Sequence, residues 1–312
     1  KMKRKLVWQG NSSATLTLPI RWVREQGLGE GAEIEVVPSG DTLIIGTKKN
    51  RTVRKVTLEL KQPVGSAIKK LIANLYRVGY DEIELTLPDK ETERYIQDCI
   101  WKELVGFESV KLNEKTILLK DIADLDPECF PMMFKKSFLL LLAFSQEVLH
   151  HVKEKDYRAL EQAILRDLEI NKITNLCRRL LHKKMNDRKK MITLASVLRA
   201  LEKSGDCLKE LAAFCAEARA FPPPKAIKTF EFLCEKIQEI YLLYYRSNLE
   251  KALSINGELR ELSRSLVNEP ALDKGVYRFY HGLIQHLETL TGGPMVLCLD
   301  GQETTRKEDW EQ

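Results

Sequence analysis

A chain of 312 residues that is 44% apolar and 30% charged is long enough for two or three folded domains and too apolar to be disordered. Its net charge of +5 is too small to identify a nucleic-acid-binding protein. Seven cysteines without a CxxC pair exclude a disulfide framework and a zinc ribbon, and predict free thiols. The longest apolar run, residues 138–144, is too short to span a bilayer, and no signal peptide is visible. We therefore expect a cytoplasmic protein that is not membrane-embedded.

Positive charge is concentrated at the start of the chain. Residues 1–51 contain nine Lys and Arg and five Asp and Glu, so this segment carries +4 of the net charge of +5. Clustered basic residues in a small module are typical of proteins that bind a phosphate backbone. A solubilising tail followed by an ordinary helix surface would give the same charge, so charge alone leaves both interpretations open.

Residues 1–50 are predicted to form short strands around one short helix, because period-2 alternation and turn residues dominate. Pro19 favours the start of the helix, where its missing N–H is not needed. Fifty residues cannot bury much core alone, so we expect a dimer. The predicted elements are strands at 4–8, 14–18, 32–37 and 42–46, a helix from Pro19 to Gly27, and a turn at 38–41.

Residues 51–124 are predicted to form a small sheet covered by two helices, in the order βαβαββ. This segment contains no Gly-rich phosphate loop and no acidic or histidine cluster, so it is interpreted as a spacer or a ligand domain. The predicted strands are 53–60, 81–87, 107–112 and 116–119, and the predicted helices are 66–78 and 90–104.

Residues 125–312 are predicted to be an all-α bundle, because apolar residues recur at spacings of three and four. Three prolines at 222–224 interrupt the helical pattern, since no helix passes through them. Three long helices are expected before this break and about three after it, which favours two three-helix repeats. The periodic positions include Phe134, Phe138, Leu141, Val148, Leu194, Leu198, Leu201, Leu208, Phe230, Cys234, Ile237 and Tyr241.

Two pairs of oxygen-bearing side chains lie four residues apart in the first predicted triplet. Asp167 with Asn171, and Glu202 with Asp206, would each share one helix face and could hold a metal ion between two packed helices. Asp167 falls on the predicted packing seam, where a carboxylate is costly unless it is paired. Gly205 would let the neighbouring helix approach closely. Acidic pairs at this spacing are also common on solvated helix faces, and the spacing alone favours that second interpretation.

No catalytic motif is recognisable in the sequence. We find no nucleophile elbow, no P-loop and no metal spacing among the five histidines. We therefore expect a protein that is not an enzyme.

The N-terminal segment resembles the AbrB/MazE/SpoVT swapped-hairpin family over residues 3–47. The matching features are the strand at 5–10, the Thr15–Pro19 step followed by Arg21, the Gly27–Gly31 turn and the final hairpin. The resemblance implies a small β-barrel closed by two chains, and therefore a homodimer that binds DNA. The DNA contacts that it implies are Arg4, Lys5, Gln9, Asn11, Ser12, Arg21 and Arg24.

The helical segment resembles PhoU, the phosphate-uptake regulator. Asp167 with Asn171 and the run Leu201–Asp206 match the family's D-x-x-x-N and L-E-R-I-G-D patterns, in the expected order. The resemblance implies a divalent or trivalent metal (Fe, Zn, Mg or Ca) at Asp167, Asn171, Glu202 and Asp206. In the second triplet, Arg260 and Gly292 replace the expected oxygen ligands, so a second metal site is not implied.

The sequence therefore predicts a multidomain α+β protein: a swapped-hairpin barrel at 1–50, a βαβαββ domain at 51–124, and a PhoU-like bundle of two three-helix repeats at 125–312. The predicted function is transcriptional regulation of phosphate uptake, with the bundle acting as a sensor or docking to a phosphate transporter component. One alternative is a metal-binding transporter adaptor in which DNA binding is lost. Others are an antitoxin or chromosome-architecture protein, and a metal-dependent enzyme or metal-storage bundle.

Overall fold

The computed structural model of the chain describes residues 3–10, 13–39, 42–46, 53–123, 125–184, 187–267 and 274–308. The chain divides into two compact units, an N-terminal unit of residues Lys1–Val53 and a large unit of residues Arg54–Gln312.

The N-terminal unit consists of two antiparallel hairpins with a short helix between them. Strands β1 (Leu6–Gln9) and β2 (Ser13–Leu16) form the first hairpin, and β3 (Glu35–Ser39) and β4 (Thr42–Gly46) form the second. The helix α1 (Ile20–Glu25) begins directly after Pro19, as the sequence predicts. Strand β3 continues through Pro38 and Ser39, which were predicted to belong to the turn. A proline is compatible with a strand in a two-stranded hairpin because each strand has an unpaired edge.

The large unit begins with a four-stranded sheet whose strand order is β5-β6-β8-β7. Strands β5 and β6 are parallel, and the other neighbouring pairs are antiparallel. Two helices pack on the sheet through a core that contains Ile72, Tyr76, Ile83 and Ile96. Asp89 caps the second helix by accepting a hydrogen bond from the Thr92 N–H at 2.7 Å. The elements are β5 (Lys55–Glu59), α2 (Ala67–Arg77), β6 (Glu82–Thr86), α3 (Lys90–Glu103), β7 (Phe107–Lys111) and β8 (Thr116–Asp121).

The predicted order βαβαββ is confirmed, and each element agrees within about two residues of its predicted ends. The agreement has a local cause, since glycines and capping residues mark the ends. Gly79, two residues after α2, and Gly106, three residues after α3, adopt positive φ angles of 89° and 76°, which let the chain turn into the next strand. Asn113 Oδ1 accepts hydrogen bonds from the Lys115 and Thr116 backbone, which closes the β7–β8 turn.

The rest of the large unit is a helical bundle. Three long helices precede the proline segment and three follow it, with the short α5 in addition among the described residues. Pro223 is extended and α8 begins at Pro224, which confirms the predicted break. The helices are α4 (Phe130–Glu154), α5 (Tyr157–Ala163), α6 (Arg166–Lys184), α7 (Arg188–Ala218), α8 (Pro224–Leu243), α9 (Leu249–Val267) and α10 (Lys274–Glu308).

One continuous hydrophobic core runs through the bundle, and nearly all of the predicted periodic positions belong to it. Phe138, Leu141, Leu198, Leu201 and Phe230 are fully buried. The cysteines whose side chains the structure describes are all free thiols. Among the described helices, none combines the length and apolar character that a membrane span requires.

Helix α6 fastens the sheet segment to the bundle through the buried side chain of Arg179. Its Nη1 donates to the carbonyl oxygens of Tyr76 (3.0 Å) and Tyr80 (2.6 Å), and its Nη2 contacts Asp81 (2.9 Å) and Asp121 (2.7 Å). The Arg179 side chain is 3% exposed, so these contacts are desolvated. The sheet segment and the bundle therefore share polar as well as apolar contacts, which agrees with their belonging to one unit.

Candidate functional site

The first hairpin exposes one wholly apolar face. In its register Leu6 pairs with Leu16 and Trp8 pairs with Ala14, so these four side chains lie on the same face. Leu6 is 63% exposed and Trp8 is 73% exposed. Directly opposed apolar residues stabilise a sheet when they pack on each other and are covered by a further layer of side chains, which we call the third layer. Here the third layer is not provided by the described residues of the same unit.

The second hairpin repeats this arrangement. Val36 pairs with Ile45 and Pro38 pairs with Leu43, so these residues share one face, and Leu43 is 60% exposed. No residue between Lys3 and Gly46 whose burial the structure describes is buried. A unit without a buried core cannot offset the entropy cost of ordering its chain, so it requires a further surface to pack against.

The predicted DNA contacts that the structure describes are all exposed side chains of this unit. Arg4 and Lys5 precede β1, Gln9 ends it, and Arg21 and Arg24 lie three residues apart on α1 and so share one side of that helix. The side chains are therefore accessible to a large anionic partner.

One of these residues has an acidic partner within the same helix. Arg21 Nε lies 2.9 Å from Glu25 Oε1, in an exposed i,i+4 ion pair. Such pairs are weak in water, so a phosphate could replace Glu25 at small cost. Asn11 and Ser12, two further predicted DNA contacts, lie outside the described residues.

The predicted seam position in the bundle is confirmed. Asp167 on α6 is 1% exposed, and Gly205 on α7 packs so closely that a Cβ at that position would lie 3.2 Å from Asp167 Oδ1. Asn171 Nδ2 donates to Asp167 Oδ2 at 3.0 Å, one turn further along α6. The structure therefore brings Asp167 and Asn171 together against Gly205.

A lysine side chain completes this cluster. Lys209 Nζ lies 2.6 Å from Asp167 Oδ2 and 2.9 Å from Asp206 Oδ1, and so bridges α6 and α7. Lys203 contacts the other Asp206 oxygen at 2.7 Å. We call Asp167, Asn171, Asp206 and Lys209 the seam cluster. The Lys209 ammonium group lies between Asp167 and Asp206, which are two of the residues predicted to share a metal ion.

Burial sets the charge states of the seam cluster. It raises the pKa of the Asp167 carboxyl, and the hydrogen bond from Lys209 offsets this only in part. For Lys209 burial acts downward, but the hydrogen bonds to Asp167 and Asp206 together raise its pKa, so it is charged at neutral pH. Asp206 is also desolvated, yet Lys203 and Lys209 together lower its pKa. The cluster is therefore a buried ion-pair network.

Two acceptors of the cluster are left without hydrogen-bond partners in the part of the chain that the structure describes. They are Asp167 Oδ1 and Asn171 Oδ1, both buried. Oxygen atoms of this kind are ligands for hard cations. However, no group of three or more His, Cys, Asp or Glu among the described residues is arranged to hold a metal ion. The cluster thus offers two free oxygens and already contains one positive charge.

Glu202 does not join the seam cluster. Its Oε2 lies 2.7 Å from Nη2 of Arg178 on α6, and both side chains are largely buried. Of the four predicted metal ligands, the structure thus gathers Asp167, Asn171 and Asp206 and directs Glu202 to another partner.

The second triplet contains a similar lysine-centred network. Lys236 on α8 is 5% exposed, and its Nζ lies 3.0 Å from Glu239 and 2.7 Å from Glu258 on α9. Asn256, two positions before Glu258 on α9, donates through its Nδ2 to Thr291 Oγ1 on α10 at 2.9 Å. Sequence reasoning missed both Lys209 and Lys236. The signal available in the sequence was a lysine three residues from a carboxylate on the same helix, with a second carboxylate on the helix packed beside it.

Comparisons with known proteins gave one structural similarity. No protein-family model matches the chain, and no curated protein matches it. Among solved structures, the chain is similar to the phosphate transport system regulatory protein PhoU from Streptococcus pneumoniae, with 19% identity and a TM-score of 0.42. The similarity covers 56% of this chain and 92% of that chain.

Proposed function

We propose that the chain is a homodimeric DNA-binding transcription regulator and that it has no catalytic step of its own. One observation carries the proposal: the N-terminal unit presents two uncovered apolar hairpin faces and, beside them, a set of exposed basic side chains. A second copy of the same unit is the occupant that supplies complementary apolar faces of equal size. Two copies also double the number of basic side chains along one surface, which suits a duplex.

The sequence resemblance to the swapped-hairpin family supports the same interpretation. It covers the segment with the uncovered faces and implies that two chains close one barrel. An antitoxin or a chromosome-architecture protein would share this unit. The large ordered bundle favours a regulator instead, because an antitoxin would need a toxin-binding tail and a long ordered bundle fits that role poorly.

Phosphate uptake is the process we propose to be regulated. The support is the resemblance of Asp167, Asn171 and the run 201–206 to the PhoU patterns. In this proposal the bundle senses phosphate status or docks to a phosphate transporter component. An adaptor in which DNA binding has been lost is the alternative, and DNA binding separates the two.

Binding to the DNA upstream of the protein's own coding region tests the proposal. We expect the affinity of the full chain to fall steeply as salt is raised from low to physiological concentration, because bound phosphates release counterions. Arg21→Ala combined with Arg24→Ala should weaken binding and make the salt dependence shallower. The matched control is Arg260→Ala combined with Arg264→Ala, which removes the same charge from exposed positions on α9. Absence of binding at low salt, or equal loss in both double variants, would contradict the proposal.

A metal ion in the seam cluster is a second proposal, supported by the unpartnered oxygens of Asp167 and Asn171. Lys209 already supplies positive charge there, so a metal should bind better when the ammonium is removed. We expect Lys209→Met to bind more metal than wild type by elemental analysis after exposure to Fe, Zn, Mg and Ca salts. The variant Lys209→Met combined with Asp206→Asn is the control and should lose that metal. Equal metal content in all three proteins would contradict the proposed metal site in the seam cluster.

A further inference from the structure

A cavity lined by both polar and apolar side chains lies where the sheet segment meets the bundle. It has a volume of about 430 Å³ and is bounded by α2 on one side and by α6 and α7 on the other. Its walls, which all belong to the described part of the chain, contain no Asp or Glu. The polar side chains that line it are Asn74, Arg77, Arg178, His182, Ser196 and Arg199.

Arg77 is held in place by neutral partners. Its Nε donates to Asn175 Oδ1 at 2.7 Å, and its Nη1 donates to Asn74 Oδ1 at 3.1 Å. Asn175 is itself fixed by donating to the Glu103 carbonyl oxygen at 3.2 Å. Amide oxygens orient a guanidinium group without neutralising its charge. Arg77 therefore reaches the cavity as a positioned cation.

The other two arginines differ in how far the protein pairs their charge. Arg178 Nη2 forms a largely buried ion pair with Glu202 Oε2 at 2.7 Å. Arg199 on α7 is exposed and has no ion-pair partner among the described residues. Arg199 is thus unpaired among the described residues, whereas Arg77 uses Nε and Nη1 and Arg178 uses Nη2 in contacts within the protein.

The charges of Arg77 and Arg199 repel that of Arg178. Burial lowers the pKa of Arg178, Glu202 opposes this, and the charges of Arg77 and Arg199 act in the same direction as burial. Burial also lowers the pKa of His182, which is therefore neutral at pH 7. The cavity thus concentrates three guanidinium groups. Outside its walls, Glu202 contacts Arg178, and the Glu103 carboxyl interacts electrostatically with Arg77.

We propose that this cavity binds a small molecule that carries a phosphate group, with Arg77, Arg178 and Arg199 as its ligands. Guanidinium groups match the geometry of phosphate oxygens through paired N–H donors. A doubly charged anion would offset the repulsion among the three cations. The cavity volume lies within the range of small-molecule sites, so an ester group can be accommodated beside the phosphate.

The location gives such a ligand a structural effect. It would contact α2 of the sheet segment and α6 and α7 of the bundle at the same time, and so stabilise their junction. A regulatory role for this binding rests on the proposed function, whereas the binding itself does not depend on DNA.

Isothermal titration calorimetry of the full chain, without DNA, tests the inference. The probes are inorganic phosphate, glycerol 3-phosphate and AMP, each at an ionic strength held constant with sodium chloride. We expect saturable binding of at least one probe, with one molecule per chain. Binding of the esters alone would identify a phosphate ester as the ligand, and binding of inorganic phosphate would identify the free anion.

Single substitutions locate the binding. Arg77→Gln and Arg199→Gln should each weaken it about tenfold, because each removes charged hydrogen-bond donors. Arg199 is solvent-exposed, so its variant should keep the wild-type circular dichroism spectrum. The control Arg158→Gln, on the exposed side of α5, should bind as wild type does. No saturable binding of any probe, or unchanged affinity in both cavity variants, would overturn the inference, whatever the outcome for DNA.

Discussion

At the scale of single residues, the most informative side chain is Asp167. A carboxylate that is 1% exposed requires a compensating positive charge, and Lys209 provides it from the neighbouring helix. A Cβ at Gly205 would lie 3.2 Å from Asp167 Oδ1, so a larger residue there would force Asp167 to shift, and the packing and the ion pair depend on each other. The seam cluster therefore joins α6 to α7, and it is also where we propose that a metal ion binds.

Lys209→Met should destabilise the large unit by about 3 kcal/mol at pH 7, because it leaves the Asp167 carboxylate buried without its cation. Burial already places the folded-state pKa of Asp167 above its unfolded value, and loss of Lys209 raises it further. A raised carboxyl pKa makes stability fall as pH rises through it, so the deficit should shrink as pH is lowered through that pKa. Urea unfolding at several pH values measures this.

The matched control is Lys203→Met, whose side chain is 41% exposed and contacts only Asp206 at 2.7 Å in the cluster. Its effect should stay below about 1 kcal/mol, as for other exposed pairs. Equal destabilisation by the two variants, or a Lys209 deficit that does not change with pH, would show that Asp167 is not the group left unpaired.

Sequence reasoning reached only part of this site. The period of apolar residues places Asp167 on the seam, because position on a helix face is a local property. It could not identify Lys209, since a lysine four positions after Gly205 looks like an ordinary solvated residue until α6 is packed beside it. The pairing of Glu202 with Arg178 was missed for the same reason.

At the scale of secondary-structure elements, local signals were sufficient for the boundaries in the sheet segment and for the break between the two helix triplets. Each of these signals is local: a glycine, a capping aspartate or a run of prolines predicts an element end within a few residues of itself. The sequence could not predict which elements pack against each other. Arg179 on α6 satisfies two carbonyl oxygens that follow or end α2, and this contact joins residues about one hundred positions apart in the chain.

Arg179→Met should destabilise the junction between the sheet segment and the bundle by about 3 kcal/mol. It would leave the Tyr76 and Tyr80 carbonyl oxygens without a side-chain donor, and only Lys183 would remain to pair with Asp81 and Asp121. Urea unfolding followed by circular dichroism gives the loss, with Arg158→Met as the control. A loss below about 0.5 kcal/mol would contradict the role assigned to Arg179.

At the scale of the whole molecule, the two units differ in how they are stabilised. The large unit has two extensive cores of its own. The N-terminal unit has uncovered apolar faces on both hairpins, and the sequence could predict only that so short a segment needs a partner. A second copy that covers these faces would also align two sets of basic residues, so dimerisation and DNA binding are predicted to be lost together.

Sedimentation of the full chain, alone and with upstream DNA, shows whether DNA binding depends on dimerisation when wild type is compared with Leu6→Glu. We predict that wild type has twice the mass of one chain and binds DNA as a dimer. Leu6→Glu, which charges the uncovered face but leaves Arg21 and Arg24 intact, should be monomeric and bind DNA at least about tenfold more weakly. A monomeric wild type, or a monomeric Leu6→Glu that binds DNA as well as wild type, would show that the uncovered hairpin faces do not form a dimer required for DNA binding.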